Sequence, residues 1–544
     1  MRLPPGVRDW LPDEFARKRT IEEKIREVSR RWLYSEVQTP TFETTEVLQR
    51  GLGERLVKHT FRFSDPFGES LALRTEMTIP IARVVSARLR HEPLPLRLSY
   101  VAPAFRYEEP QLGRMREFTQ AGAELIGAAG PDADAEVLFM AIETLDAVGL
   151  DDARFDINDV AIVDGVLEGV GLDGEKLATC KHLIAERNLV ALRAFGEAEA
   201  IKNGAFETLL RLTMMRGGED IFALARPICK TKESKAALQR LEEILKQAAK
   251  RGYSDRIKID FAMLRDLQYY TGFVFEGYIE DLGFSLCGGG RYDTLLPRFG
   301  YDVPAVGWMV GVERILLALE RRSHSDASSI SKKRTRDQLT IALPKGSLYA
   351  ESVQRLRGAG VVVPEDGGRK LTLSSDDGRF QFLLLRPTDV PAYVEFGAAD
   401  CGIVGKDILW ETDRSVSELC DLGFGGCRLV VAASKTDGYH EGTRYPTFLR
   451  VATKFKRSAE AYFAERDLPC EIVGLHGSVE LAPIVGLADL IVDLVASGNT
   501  LRAHDMVVVD EIAYSTARFV VNPVHFRAKY DALRDLLERL ESAS

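Results

Sequence analysis

Residues 321–338 read RRSHSDASSISKKRTRDQ, a polar run rich in serine and basic residues without apolar periodicity, and strongly patterned sequence lies on both sides of it. A stretch that offers nothing to a core cannot sit inside one, so it divides the chain into two independently folding parts joined by a tether. The 544 residues are enough for about three or four domains at roughly 150 residues each. The organisation expected is residues 1–320, a tether over 321–338, and residues 339–544.

The two parts are patterned differently. In the first, an amphipathic helical stretch at 14–33 interleaves with β-rich pieces at 96–104 and 271–277, which predicts an α+β domain around an antiparallel sheet. Residues from about 159 to 249 are mostly helical in pattern and separate two motif-bearing regions, so they read as a helical insertion. In the second part, apolar runs at 339–343, 380–385, 401–404, 429–433 and 490–494 alternate with helical segments, the mark of α/β architecture with largely parallel strands.

Composition narrows the function classes. No apolar run is long enough to span a bilayer, and the start, MRLPPGVRDW, lacks the apolar core of an export signal, so a cytoplasmic protein without a membrane partner is expected. The seven cysteines (Cys180, Cys229, Cys287, Cys401, Cys420, Cys427, Cys470) show neither CxxC nor Cys/His ligand spacing, which argues against zinc and against a disulfide framework. No resident metal is expected. A net charge of -9 and a pI near 5.6 disfavour gripping a nucleic-acid backbone, which needs a broad basic surface, yet leave room for small anions held by a few local donors.

One segment suggests such an anion site. Residues 489–502 read DLIVDLVASGNTLR: an apolar strand runs into Asp493, then into the small-residue turn Ala496-Ser497-Gly498-Asn499-Thr500, then into a helix start. Backbone N–H groups of such a turn, the hydroxyls of Ser497 and Thr500 and the positive end of the helix can cradle a phosphate, while the acidic residue faces ribose hydroxyls. A turn of this composition also serves simply to cap a helix.

The segment resembles the phosphoribosyl-pyrophosphate loop of the short-form ATP phosphoribosyltransferase catalytic subunit. The resemblance covers nearly all of residues 339–530, through ALPKGSL from Ala342, RPTDVPAYVEFGAADCGIVGKD from Arg386, RVATKF from Arg450, GSVELAPIVGLADLIVDLVASGNTL from Gly477 and FVVNP from Phe519. It implies two α/β lobes resembling a type II periplasmic binding protein, with the active site in the cleft between them. The implied reaction moves the phosphoribosyl group to N1 of the adenine of ATP and releases pyrophosphate, with Mg²⁺ carried by the substrate phosphates. Such chemistry asks for alignment and charge neutralisation rather than covalent help. The resemblance gives the catalytic cation role to Lys345, Arg369 and Arg386, and phosphoribosyl-pyrophosphate binding to Asp493, Ser497, Gly498, Asn499 and Thr500. Two positions depart from the family: Ser347 follows PKG where arginine is usual, which removes a phosphate contact, and Ser497 replaces a common threonine but keeps the hydroxyl.

Residues 1–320 carry a second ordered set of blocks. RYEEPQLGRMREFTQ from Arg106 resembles motif 2 of class II aminoacyl-tRNA synthetases, and PAVGWMVGVER from Pro304 resembles motif 3. LRDLQYYTGFVFEGY from Leu264 and CGGGRYDTLL from Cys287 resemble signatures of histidyl-tRNA synthetase, whose histidine-holding residues map to Glu76, Gln120, Glu124, Arg265 and Tyr270. Carboxylates can grip an ammonium or an imidazole N–H, and a guanidinium can pair with a carboxylate. Equally, buried Glu, Gln and Tyr can form a core network alone. RTEMT at Arg74 stands where the synthetase has RPEGT, and RDLQYY at Arg265 where it has RGLDYY, so Met77 and Asp266 replace glycines. In place of an anticodon-binding domain the chain passes into the transferase-like part. The first half thus resembles the regulatory paralogue that partners the short catalytic subunit, with histidine as feedback inhibitor and a homo-oligomer of the fused chain implied. Arg106 and Arg314, the motif 2 and 3 arginines, keep ATP binding in this half open. Two other readings remain at this point: a histidyl-tRNA synthetase with an appended ligand-binding domain, and a second half that binds ligand without catalysis.

Overall fold

A computed structural model of the chain describes residues 3–52, 57–107, 115–201, 203–264, 270–280, 282–327, 338–365, 370–435, 449–496 and 498–543. Its contacts divide it into two compact units, Met1–Lys333 and Arg334–Ser544.

The first unit is organised by a nine-stranded sheet. In spatial order its strands are β1 (Ser35–Glu36), β5 (Leu96–Phe105), β6 (Glu117–Ile126), β12 (Ala305–Gly311), β11 (Cys287–Arg291), β10 (Phe273–Tyr278), β7 (Arg154–Asp159), β9 (Ile257–Asp260) and β8 (Arg216–Gly217). The β1–β5 and β7–β9 pairs are parallel and the remaining pairs antiparallel. A small separate sheet, β2 (Phe42–Thr44), β4 (Ser70–Leu73) and β3 (Arg62–Ser64), precedes helix α2 (Thr78–Arg88). Helices α1 (Pro12–Arg31), α3 (Pro131–Ala147) and α9 (Val312–Ala327) pack on the large sheet. On α1 the buried Ile21, Ile25 and Val28 recur at the spacing of one helix face. Helix α9 runs through 321–327, so the start of the stretch read as tether is helical. A helix already nucleated by an apolar face can propagate into polar sequence, which periodicity does not report.

Between β7 and β9 lies the insertion: α4 (Val160–Glu168), α5 (Gly174–Ala185), α6 (Leu189–Ala198), α7 (Asn203–Met214), β8 and α8 (Lys232–Lys250). Thr231 caps α8 through its hydroxyl, which accepts from the Ser234 N–H at 3.1 Å, and Leu238, Leu241, Ile244, Leu245 and Ala248 are buried along one face. The insertion is pinned to the sheet by three arginines. Arg216 reaches Asp156 at 2.7 Å, Arg240 reaches Asp159 at 2.6 Å, and Arg187 pairs with Asp260, each aspartate being fully buried on β7 or β9.

The second unit contains two mixed sheets rather than largely parallel ones. One has the order β14 (Thr372–Ser374), β15 (Phe380–Leu385), β13 (Leu339–Pro344), β16 (Cys401–Gly405), β23 (Ala517–Val521), β17 (Ser417–Asp421). The other has the order β20 (Cys470–Gly474), β19 (Leu449–Thr453), β21 (Leu490–Val495), β18 (Cys427–Ser434), β22 (Met506–Ser515). Only β15–β13–β16 and β20–β19–β21 are parallel; the other pairs are antiparallel. All five apolar runs are strands, but a strand buried on both faces gives the same run whichever way its neighbours point. Helices α10 (Tyr349–Gly358), α11 (Val390–Glu395), α12 (Lys406–Thr412), α15 (Pro523–Ala528) and α16 (Tyr530–Ser542) belong with the first sheet, and α13 (Lys456–Ala464) and α14 (Asn499–Ala503) with the second.

The chain crosses between these lobes after β17 and again after β22. The crossings are zipped together: Leu422 N–H donates to Ala517 O and Ala517 N–H to Phe424 O, both at 2.9 Å, while Thr516 Oγ1 donates to Asp421 Oδ1 at 2.7 Å. Among the described residues no helix is long and apolar enough to cross a membrane.

The pinning of the insertion has a measurable consequence. Arg216→Leu leaves Asp156 buried without its counter-charge, and the first unit is expected to lose about 3–5 kcal/mol in urea unfolding. A loss below about 1 kcal/mol would show that the pair does not hold the insertion.

Candidate functional site

The pleat of β5 and β6 points Tyr100, Gln120 and Glu124 to one face of the sheet. Glu124 is 1% exposed; its Oε1 accepts from Thr78 Oγ1 at 2.8 Å and Tyr100 OH at 3.4 Å, and its Oε2 accepts from Tyr292 OH. Gln120 Nε2 donates to Tyr100 OH at 3.2 Å, while its buried Oε1 has no hydrogen-bond partner among the described residues. Space for the Glu124 carboxylate exists because Gly307 lies directly opposite on β12: a Cβ there would stand 1.7 Å from Glu124 Oε2. Gly290 on β11 makes room in the same way for the Tyr270 ring, whose Cδ1 would lie 2.9 Å from a Cβ.

This carboxylate is held by hydroxyl groups, with no cation paired to it among the described residues. Burial therefore pushes its pKa up to about 8, against the lowering by its hydroxyl donors and with the neighbouring Glu76 charge adding to the rise. Glu76 is differently employed. Its two oxygens accept the N–H groups of Thr78 and Ile79, each at 2.7 Å, so it caps α2, and burial raises its pKa. Met77, where the synthetase pattern has glycine, is buried with φ −101° and ψ −23°, a conformation that asks for no glycine. Arg74 is a brace: its guanidinium donates to Thr39 O and Pro103 O at 2.7 Å and Pro40 O at 2.9 Å. Arg265 and Asp266 lie outside the described residues. Arg106 donates to Thr75 O at 3.0 Å and sits 5.3 Å from the Phe118 ring, and Arg314 donates to Ser285 O at 2.6 Å. Tyr100, Thr78, Tyr292 and Gly307 were not singled out from sequence, although Thr78 falls within RTEMT, Tyr292 within CGGGRYD and Gly307 within PAVGWMVGVER.

In the second unit, the final register pair of β13 and β15 is Pro344 with Leu385, and the Lys345 N–H donates to Leu385 O at 2.7 Å. Lys345 and Arg386 therefore leave adjacent parallel strands side by side at their carboxyl ends, where open α/β sheets receive ligands. Both are exposed, and no carboxylate of the described residues pairs with either. Lys406, which follows the third parallel strand, β16, is by contrast neutralised by Glu418. Arg369 lies outside the described residues.

The other lobe repeats the arrangement with its own parallel strands. Asp493, near the end of β21, accepts from the Leu494 N–H at 2.8 Å and forms an ion pair with Lys454 Nζ at 3.3 Å, and Lys454 directly follows β19. Lys454 stood in RVATKF without a role. Gly498 precedes α14 with φ 73° and ψ 6°, a left-handed turn that glycine adopts without strain. Ser497 and the side chains of Asn499 and Thr500 lie outside the described residues. Among those residues no cluster of three or more His, Cys, Asp or Glu is placed to hold a metal ion. A cavity of about 350 Å³ in the first unit, lined among others by Lys18, Glu22 and Glu313, contains none of the anticipated site residues.

Comparison with known proteins gives two family matches: one described as histidyl-tRNA synthetase over residues 6–315, and one described as ATP phosphoribosyltransferase over residues 386–542. The ATP phosphoribosyltransferase regulatory subunit of Moorella thermoacetica is 43% identical over 318 residues, 58% of this chain and 82% of that protein. Its counterpart from Geobacter metallireducens is 36% identical over 366 residues, 67% of this chain and 83% of that protein. Among solved structures, an ATP phosphoribosyltransferase regulatory subunit/histidyl-tRNA synthetase from Bacillus halodurans is similar with a TM-score of 0.55 and 28% identity, over 71% of this chain and 98% of its own.

The buried acid at Glu124 predicts a pH dependence. Below its ordinary value near 4.5 the group is protonated in folded and unfolded chain alike; between there and about 8 only the folded chain holds the proton. The folded form therefore loses stability as pH rises through that window, by up to about 1.4 kcal/mol per pH unit, and the effect levels off above it. Glu124→Gln keeps the shape and cannot ionise, so urea unfolding of the first unit at a series of pH values should be flatter for the variant. Parallel profiles would contradict the assignment.

Proposed function

Because the chain belongs to the ATP phosphoribosyltransferase family, joining a first unit of the regulatory-subunit type to a second that carries the transferase domain, we propose that the two units divide regulation from chemistry. The second unit carries out the first step of histidine biosynthesis, transferring the phosphoribosyl group of phosphoribosyl pyrophosphate to N1 of the adenine of ATP. The first unit binds histidine and inhibits. The transferase match over residues 386–542 favours this reading over tRNA charging.

The observation that carries it is the couple Lys345 and Arg386 at neighbouring strand ends, paired with no carboxylate of the described residues. In the reaction the N1 lone pair attacks C1′ of the ribose, and the bond from C1′ to pyrophosphate breaks with its electrons leaving on the pyrophosphate. The nucleophile and leaving group are both competent; what opposes the step is repulsion between two highly charged anions. Cations not already neutralised by the protein stabilise that encounter most, and these two pair with no carboxylate of the described residues; the resemblance adds Arg369 to them. Mg²⁺ arrives with the substrate phosphates. Across the lobes, Asp493 suits the ribose hydroxyls and the Gly498 turn, with Ser497, Asn499 and Thr500, suits the 5-phosphate. Two lobes linked by two crossings support the resemblance to a type II periplasmic-binding-protein fold, which receives its ligand between the lobes.

For the effector, Glu124 offers a carboxylate that no cation of the described residues pairs with, and Gln120 an acceptor oxygen without a partner among them, with Glu76, Arg265 and Tyr270 completing the set by resemblance. The ammonium or protonated imidazole of histidine supplies the missing charge and draws Glu124 to its ionised form. The fused chain acts as a cytoplasmic homo-oligomer, as the separate regulatory and catalytic subunits assemble in the resembling family.

The test is turnover of the intact chain with ATP, phosphoribosyl pyrophosphate and Mg²⁺. Arg386→Ala should lower the rate roughly ten- to a hundredfold, the effect of losing one charge-assisted phosphate contact made in the transition state. A rate within about twofold of the parent would remove Arg386 from the mechanism. Gly498→Val should sharply weaken phosphoribosyl-pyrophosphate affinity while circular dichroism stays native, and unchanged affinity would rule out the loop.

A further inference from the structure

We propose that Glu411 is a positioning residue, a latch that reaches from one lobe of the second unit to the other and fixes the spacing of the two half-sites. Its kinetic consequence rests on the transferase reading; its structural consequence does not.

Helix α12 is anchored at both ends. At its start, the Asp407 N–H donates to Ser515 Oγ at 3.0 Å, and Ser515 Oγ donates to Asp407 Oδ1 at 2.8 Å, beside the second crossing. At its end, Glu411 reaches the opposite lobe: Oε1 accepts from the Arg457 N–H at 3.1 Å, and Oε2 from the Ser458 N–H and Oγ, each at 3.3 Å. These are donors of the first turn of α13, which have no partner within their own helix. Helix α13 has no cap of its own, because its N-cap residue is Phe455 and makes no side-chain capping bond. The cap is supplied by the other lobe.

A second contact, Arg457 to Asp413 at 2.6 Å, runs beside the first. Its side chains are 54% and 65% exposed, so water screens it and it contributes little. The half-buried Glu411 contact, a carboxylate on helix N–H groups, carries the connection.

Position makes the latch functional. Helix α12 begins directly after β16, at the same sheet edge from which Lys345 and Arg386 emerge. Helix α13 begins two residues after Lys454, the partner of Asp493. The seven residues of α12 span about 10 Å, so one short rigid strut connects the carboxyl ends of both sets of parallel strands. Without the latch, substrates must bring the half-sites together themselves, and binding weakens by the free energy of that ordering.

Two readouts test this on the full chain. Steady-state kinetics of Glu411→Ala should show KM for ATP and for phosphoribosyl pyrophosphate rising together, by about fivefold or more, with kcat within about twofold. Glu411→Gln, which keeps an acceptor oxygen, should recover part of the loss. Spin labels placed through unnatural amino acids at Glu465 in one lobe and Asp535 in the other should give one narrow distance in the parent and a broader, longer distribution in Glu411→Ala. A lowered melting temperature with unchanged KM values and unchanged distances would reduce Glu411 to an ordinary helix cap and overturn the proposal. If the parent shows no transferase activity, the functional reading fails and the distance measurement alone decides the latch.

Discussion

Parallel pairing of three strands in each lobe of the second unit is the constraint on which its chemistry depends. Parallel strands deliver the residues that follow them to one sheet edge, and here that edge receives Lys345 and Arg386 in one lobe and Lys454 with Asp493 in the other. The remaining strands are antiparallel and carry the two crossings, which return the chain from one sheet to the other. A sheet of either kind alone would not suffice. An all-antiparallel one would scatter the cations over both edges, and an all-parallel one would supply no paired hinge strands. Charge differs between the two places: hinge cations such as Lys406 and Arg518 are neutralised by Glu418, while no carboxylate of the described residues pairs with Lys345 or Arg386.

The first unit follows a different logic. Its sheet buries a carboxylate among hydroxyls, and the lack of a Cβ at Gly307 is what permits it. A buried acid with a raised pKa is an element that a neighbouring positive charge would relieve. The helical insertion, held by Arg187, Arg216 and Arg240 on fully buried aspartates, provides a rigid flank to the same sheet. Buried ion pairs of this kind specify one arrangement of the insertion and penalise others, since displacing any arginine strands an aspartate.

Much of this was legible in the sequence, and the limits have physical causes. The division into two parts follows from a polar stretch that no core can accept, yet the end of α9 was invisible because polar residues extend a nucleated helix without leaving an apolar stripe. Strand positions in the second unit were readable from apolar runs, whereas strand direction was not, because strands such as β13 and β16 are buried on both faces and show no alternation that would distinguish their neighbours. Lys345, Arg386 and Gln120 stand out because motif blocks carry them, and Glu124 through the resemblance. Tyr100 stands in no block, and the place of Gly307, although it lies within PAVGWMVGVER, follows only from register across neighbouring strands. Glu76 shows a further limit: motif position marks it for a ligand but does not report that its carboxylate also accepts the N–H groups of the first turn of α2.

Division of labour between the units is most directly tested by titrating histidine into the intact chain and into Glu124→Gln during phosphoribosyl transfer, each curve normalised to its own uninhibited rate. If the first unit is the sensor, the parent is inhibited and the variant requires at least about tenfold more histidine, the coupling expected of an effector held by one essential carboxylate. Coincident curves would place the effector outside the Glu124 pocket and contradict the assignment of regulation to the synthetase-like unit.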